Sequence, residues 1–322
     1  MKIDFSNSHV LTIGDSMVDE YVYGEITRIS PEAPVPILNK LKTKWSLGGA
    51  GNVAKNVKTL GAKSSLITLL GKDELAQIFA VKCKEFNIEL SQIIDKNRPT
   101  SLKSRYIAQE QQILRIDNEI STIIQEGIIE VGVEILMESL AENSVDVILI
   151  QDYNKGFLSP KFIRHIIRIA SLSNIRTVVD PKHENILSYR GCFAIKPNIH
   201  ELKHFVSTDV EITSNSLEKS VQKLQDALEV EECYVTLGKY GLYNHQIKEI
   251  IPSYNIEVSD VTGAGDSVLA VLGLAISKSY KQQDINKLCI GAGAITVSKH
   301  GCHAINIDEL KKVLTDNDSD NY

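Results

Sequence analysis

The sequence has no segment with the length and purity of a membrane span, and its first residues, Met1-Lys2-Ile3-Asp4-Phe5-Ser6-Asn7, lack the apolar stretch of a signal peptide. A cytoplasmic protein that engages no membrane is expected. There is no run of Lys or Arg, and 35 basic against 41 acidic residues leave a net charge of −6, which argues against nucleic acid as a partner. An anionic substrate would therefore need a local basic pocket. The cysteines, Cys83, Cys192, Cys233, Cys289 and Cys302, are odd in number, scattered and never in C-x-x-C spacing. That pattern excludes a disulfide framework, and reduced, mostly buried thiols are expected. The eight histidines, read as spread without H-x-x-x-H or H-E-x-x-H spacing, are expected at surface or core positions rather than on a metal.

What is present is a chain of 322 residues with 43% apolar content, enough to bury a large core. Strand-like and helix-like segments alternate. His9–Ile13, Lys63–Leu69, Ile88–Ile94, Val145–Ile150, Arg176–Val179, Phe193–Ile195 and Cys233–Leu237 read as strands; Val53–Leu60, Asp73–Phe86, Ile123–Leu140 and Ile290–Val297 read as helices. Val145-Asp146-Val147-Ile148-Leu149-Ile150 has the continuous apolar character of a central parallel strand. The alternation is the βαβ signature of a doubly wound, mainly parallel sheet flanked by helices, and one domain over 1–322 is expected. Two stretches break the pattern. Residues 21–45 carry short β-like runs and the proline-rich Pro31-Glu32-Ala33-Pro34-Val35-Pro36, which cannot sit in a central ladder, and 101–117 alternates like a strand pair. The two are expected to pair as a small β lid.

The richest chemistry lies in Val258-Ser259-Asp260-Val261-Thr262-Gly263-Ala264-Gly265-Asp266-Ser267, which opens into an apolar, Ala-rich run through Ile276. This reads as the N-terminus of a buried helix, where the amides of Gly263, Ala264 and Gly265 and the positive dipole end can receive phosphate oxygens. Asp266 in the first turn then stands beside the anion. A carboxylate there fits a base that accepts a hydroxyl proton in phosphoryl transfer, or simply a helix cap. Its position near the dipole is expected to stabilise the carboxylate and make it a weak base.

Asp260-Val261-Thr262-Gly263-Ala264-Gly265-Asp266, with Gly48-Gly49-Ala50-Gly51-Asn52 upstream, resembles the two signatures of the ribokinase-like (PfkB) sugar kinases, over roughly Val10 to Ile307. Within that family, Arg28–Pro36 and Gln111-Gln112-Ile113-Leu114-Arg115-Ile116-Asp117 resemble the D-glycero-D-manno-heptose 7-phosphate kinases of lipopolysaccharide heptose synthesis. The resemblance implies the ribokinase-like α/β fold with a lid that covers the sugar and supplies a homodimer contact. It implies ATP and Mg2+ as cofactors, with room for a monovalent cation such as K+ near Asp260 and Ser298.

It also implies site residues. Asp15, Asp19, Gly48, Gly49 and Asn52 would contact the sugar. Asp152 and Lys155, in the Gln151-Asp152-Tyr153-Asn154-Lys155-Gly156 turn at the ligand edge of the sheet, would join them, and Lys103, Arg105 and Lys155 would grip the substrate's own phosphate. On the nucleotide side stand Lys182, Asn198, Thr236, Gly238, Gly241, Thr262, Gly263, Ala264 and Gly265. Asn198 and Glu201, matching an N-x-x-E element, would position magnesium through water. Read without the family, Glu201 is a first-turn carboxylate on a helix dipole, and Gly238-Lys239-Tyr240-Gly241 is a plain hairpin turn.

The expected reaction is transfer of the ATP γ-phosphoryl group to the anomeric hydroxyl of heptose 7-phosphate, with Asp266 as the base. A kinase for another sugar, sugar phosphate or nucleoside is the nearer alternative; a non-catalytic binding protein on the same fold is the other. The chain has no H-x-G-H nucleotidyl-transfer motif and runs out in an acidic, polar tail at Tyr322. A stand-alone kinase is therefore expected, with nucleotide transfer left to another protein. Gly301-Cys302-His303 departs from the Gly-Thr that related kinases often carry at this point.

Overall fold

The computed structural model describes residues 3–319; Met1, Lys2 and the last residues of the acidic tail, through Tyr322, lie outside the described residues. The strands are β1 (His9–Gly14), β2 (Ser16–Ile29), β3 (Pro36–Gly49), β4 (Lys63–Gly71), β5 (Glu89–Asp95), β6 (Leu102–Ala108), β7 (Gln111–Asn118), β8 (Val147–Gln151), β9 (Arg176–Asp180), β10 (Ala194–Ile195), β11 (Glu232–Thr236), β12 (Leu242–Asn244) and β13 (Glu249–Ile251). The helices are α1 (Ala50–Thr59), α2 (Glu74–Glu85), α3 (Glu126–Glu142), α4 (Pro160–Leu172), α5 (Ile199–Val206), α6 (Ser214–Leu228), α7 (Ala264–Ser277), α8 (Gln282–Val297) and α9 (Ile307–Ser319).

Nine strands form one sheet in the order β13-β12-β11-β10-β9-β8-β1-β4-β5. Pairing is parallel from β5 to β11, and at the far edge β12 pairs antiparallel with both β11 and β13. Burial on both faces explains the apolar runs. Leu11, Ile13, Ile148, Ile150, Val179 and Ile195 join a core with α3 to α6, while Val10, Val147, Leu149, Val178 and Ala194 join a second core with α1, α7, α8 and α9. The period-2 alternation of the strands thus feeds two helical layers. A third cluster, with Phe79 and Cys83 of α2 against Leu66 and Ala54, fills the corner beside β4.

The lid is a four-stranded sheet, β3-β2-β6-β7, in which β2 runs antiparallel to β3 and parallel to β6. It is longer than the sequence indicates, because β2 starts at Ser16, directly after β1, and β3 runs on to Gly49. The prolines fall at the hairpin tip and the first residue of β3, where no ladder bond is lost. Lid and core therefore meet at Asp15 and at Gly48-Gly49, and Ala50 N–H donates to Asp15 C=O at 2.9 Å. This junction explains the glycines: a Cβ on Gly48 would lie 2.3 Å from Asp19 Oδ2, and one on Gly49, at φ 58°, would lie 2.3 Å from the Asp15 carbonyl. Protein packing alone demands both glycines, so close approach of a sugar is not needed to account for them. Helix α1 starts at Ala50, a turn's length before the expected Val53, and Gly61 (φ 98°) follows its C-terminus as anticipated.

Candidate active site

The carboxyl ends of β1, β8, β9 and β10 carry Asp15, Asp152, Asp180 and Lys196, next to the first turn of α7. Strand order reverses between β1 and β8, the usual place for a ligand in an open α/β sheet. Helix α7 is apolar on every side, and it lies so close to β8 that a Cβ on Gly273 would stand 2.2 Å from Leu149 Cδ2. That packing aims its N-terminus at the strand ends. Gly263 caps it in the left-handed region at φ 79°, and a Cβ there would meet Asn52 Nδ2 at 2.8 Å. Gly265 lies near Asp180 and Lys196. The amides of Gly265 and Asp266 belong to the turn that has no intrahelical acceptor, so they can bind an anion, while the Ala264 amide already makes a long bond to the Val261 carbonyl at 3.3 Å. The Thr262 N–H and hydroxyl both donate to Asp260 Oδ1, at 2.9 and 2.7 Å, which ties the loop to itself.

Asp266 is buried at 2% exposure. Asn52 Nδ2 donates to its Oδ2 at 2.8 Å and the Tyr153 hydroxyl donates to its Oδ1 at 2.8 Å. Burial is the largest influence and raises its pKa to about 7; the Asn52 and Tyr153 bonds pull it down, Asp180 pushes it up and Lys196 pulls it down. This corrects the expectation of a carboxylate held low by the helix dipole: desolvation outweighs the dipole, and the group has the affinity of a useful general base near neutrality.

Asp15 is similarly placed, with its Oδ2 accepting the Tyr153 and Lys155 amides at 2.9 and 3.0 Å. Its Oδ1 is buried with no partner among the described residues. Burial first and Asp152 second raise its pKa to about 6, against the backbone amides. The free Oδ1, with the equally unpartnered Asn52 Oδ1, supplies acceptors for the hydroxyls of a polyol. Asp152, expected on the sugar, is otherwise engaged: it takes Asn154 N–H on one oxygen and Asn185 Nδ2 and the Tyr189 hydroxyl on the other. It shapes the turn rather than offering a free carboxylate.

On the nucleotide side, Asn198 and Glu201 form a capping box at the start of α5, with Asn198 Oδ1 on the His200 and Glu201 amides and Glu201 Oε2 on the Asn198 amide. Glu201 Oε1 takes Lys182 Nζ at 2.7 Å. Thr236 bridges to Asn198, and Gly238 (φ 59°) and Gly241 (φ 101°) make the tight turn from β11 to β12. A Cβ on Gly241 would strike the Ile251 carbonyl at 1.9 Å, so the hairpin itself requires this glycine. Near Asp260 and Ser298, the Val297 carbonyl receives the Ser259 and Asp260 amides.

The expected phosphate ligands on the lid side are all paired. Arg105 donates to Asp19 Oδ1 at 2.5 Å inside the junction, where Cys302 Sγ also reaches Asp19 Oδ2 at 3.2 Å. Lys103 binds Asp117 and Glu119 at 2.9 and 3.1 Å, and Lys155 binds Glu119 at 2.6 Å. Glu119 thus links a lid lysine to a core lysine, and an anionic substrate group would have to exchange with it.

Several participants escaped the sequence reading. Tyr153 had no assigned role, although it lies in the quoted turn. Lys196, 2% exposed, pairs with Asp180 at 3.0 Å across the register Ile195↔Val179. The signal was present as Asp180-Pro181 and Lys196-Pro197, opposite charges each followed by proline at the ends of strands. His200-Glu201-Leu202-Lys203-His204 has H-E-x-x-H spacing, which corrects the expectation that no two histidines stand in such a pattern. Even so, Glu201 is committed to the capping box and to Lys182, His204 stacks on His183 with centroids 4.0 Å apart, and no group of three metal-binding side chains gathers among the described residues.

The pfkB family carbohydrate kinase pattern matches residues 7–309. The chain belongs to that family. Bifunctional protein HldE of Bradyrhizobium sp. (strain ORS 278) is 34% identical over 314 residues, covering 95% of this chain and 63% of its own length. That of Helicobacter pylori (strain G27) is 35% identical over 308 residues, 95% of this chain and 66% of its own. The chain therefore spans just under two thirds of these relatives. Escherichia coli phosphofructokinase-2, solved in complex with substrates and products, superposes with a TM-score of 0.79 at 18% identity, covering 96% of this chain and 98% of that one. A putative ribokinase from Agrobacterium tumefaciens gives 0.73 at 14%, covering 97% and 99%. These confirm the ribokinase-like fold of this pfkB family member. No helix among the described residues is long and apolar enough to cross a membrane.

Proposed function

We propose that this pfkB family sugar kinase transfers the γ-phosphoryl group of ATP to the anomeric hydroxyl of D-glycero-D-manno-heptose 7-phosphate, giving the 1,7-bisphosphate. The observation that carries the reading is Asp266: a buried carboxyl with pKa raised to about 7, in the first turn of α7 and beside the Gly265 and Asp266 amides at the head of that helix. The amides receive charge on the transferring group while Asp266 accepts the proton of the attacking hydroxyl. Asp15 and Asn52, each with a buried oxygen that has no partner among the described residues, orient the sugar.

Heptose is favoured by the Arg28–Pro36 and Gln111–Asp117 stretches and by the similarity to HldE proteins. The substrate's own phosphate would exchange with Glu119 for Lys103 and Lys155. Asn198 and Glu201 have the oxygen donors that Mg2+ prefers, and since both already bond within the capping box they suit contact through the ion's water shell. The metal would supply charge neutralisation on the nucleotide phosphates. A homodimer through the lid is part of this reading: Leu41 of β3 and Ile113, Leu114 and Ile116 of β7 are large apolar side chains left exposed there.

The test is a coupled ADP-release assay with heptose 7-phosphate beside fructose 6-phosphate, ribose and adenosine. The highest kcat/KM is expected for heptose 7-phosphate. Another acceptor in first place overturns the substrate, and turnover of none overturns the kinase.

A further inference from the structure

Tyr153 touches all three parts of the site. Its backbone N–H donates to Asp15 Oδ2 at 2.9 Å, its hydroxyl donates to Asp266 Oδ1 at 2.8 Å, and Lys182 Nζ, which binds Glu201, lies 5.8 Å from its ring centre. One residue at the end of β8 therefore connects the sugar carboxylate, the base and the nucleotide-side cation. The chain has no freedom there to do otherwise. Asp152 is held by Asn185 and Tyr189, and the Asp15 carboxylate holds the Tyr153 and Lys155 amides, so the turn on both sides of the ring is anchored.

We propose that Tyr153 is the positioning residue of Asp266: its hydroxyl on Oδ1, opposed by Asn52 Nδ2 on Oδ2, sets the plane of the carboxylate and the direction of the lone pairs left for the acceptor hydroxyl. A carboxylate at a helix start can rotate about its side-chain torsions, and a donor on each oxygen from two different elements, α1 and the β8 turn, removes that rotation. The same two bonds favour the charged form of Asp266. The remaining titratable groups around it are Asp180 and Lys196 at the ends of β9 and β10, Lys55 on α1, and the Cys302 thiol, which burial keeps protonated. Tyr153 itself stays protonated, because burial and Asp266 raise its pKa well above its ordinary value. It acts as a donor and is not a second base.

This inference rests on Asp266 as the base, so its test needs a readout that survives if the proposed substrate is wrong. In the full chain, Tyr153→Phe keeps the ring and removes the donor. Expected are a fall in kcat of about tenfold or more, KM values for sugar phosphate and ATP within about twofold, and an acid limb of kcat moved up by about one pH unit. In an Asp266→Asn background the same change has no further effect on kcat. Independently of turnover, the carboxyl infrared band of Asp266, identified by its loss in Asp266→Asn, titrates at higher pH in Tyr153→Phe. Incorporating 3-fluorotyrosine at position 153 makes the phenol a stronger donor and moves that band the other way. If the wild type turns over no acceptor, the proposed function fails and the infrared titration alone decides the role of Tyr153. An infrared midpoint and acid limb that stay put, or KM values that rise while the limb stays put, overturn the positioning role.

Discussion

Replacing Asp266 by Asn separates the cost of the site from its benefit. The carboxyl is fully buried, and its pKa rises from 3.8 to about 7 on folding. Between these values the folded state binds more protons than the unfolded state, so this group makes stability fall as pH rises from about 4 to about 7. At ~1.4 kcal/mol per pH unit the total is about 4 kcal/mol against the folded state at alkaline pH, of which about 2–3 kcal/mol accrues between about pH 5 and about pH 8. Asparagine has the same shape and no charge. Its hydrogen bonds can be kept: the carbonyl oxygen of the substituted side chain accepts the Tyr153 hydroxyl, and its amide donates to Asn52 once the Asn52 amide turns over. That turn is open because Asn52 Oδ1 has no partner to lose among the described residues. Asp266→Asn is therefore stabilising at high pH and close to neutral at low pH. For 322 residues, ~1 kcal/mol moves Tm by about 1.5 °C, so the gap between variant and wild type should widen by about 4 °C from about pH 5 to about pH 8. Calorimetry across that range measures it, while steady-state assay of the same protein should show kcat reduced at least ~100-fold. A Tm difference that does not change with pH refutes the desolvated carboxylate, and near-normal turnover refutes the base.

The wild-type kcat should fall below about pH 7 with the slope of a single proton, because Asp266 must be ionised to accept the hydroxyl proton; a pH–rate profile flat down to about pH 5.5 contradicts this. Gly273→Ala places a methyl group against Leu149 and should destabilise by about 1–3 kcal/mol in denaturant titration, with kcat per folded molecule preserved. Arg105→Ala strands the Asp19 carboxylate, 2% exposed, inside the lid junction, and a loss of about 3–5 kcal/mol is expected. Combining it with Asp19→Asn should restore much of that loss; a double variant as unstable as the single refutes the pairing.

Much of the molecule was legible in the chain because its signals are local. Val147–Gln151 is apolar at almost every position because the strand is buried on both faces, and residues 264–277 are apolar nearly all round because α7 lies between sheet and helices. The prolines at 31, 34 and 36 excluded that stretch from the central ladder, and the structure puts them at a hairpin tip. The lid boundaries were less legible, since β2 follows β1 after a single residue and no turn signal marks the change of sheet.

The sequence by itself determined the doubly wound sheet, the lid, the family and the place of Asp266 at the head of a buried helix. Each of these is written in periodicity or in glycine and proline spacing over a few residues. Only the tertiary structure decided what that carboxylate is. Its pKa depends on burial, on Asn52 from 214 residues away and on Tyr153 from 113 residues away, and desolvation there overrides the local dipole that the sequence displays. The pairing of Lys103, Arg105 and Lys155 with Asp117, Asp19 and Glu119 was hidden for the same reason. A charge declares its sign in the sequence, but its partner is chosen by the fold that brings distant strands together.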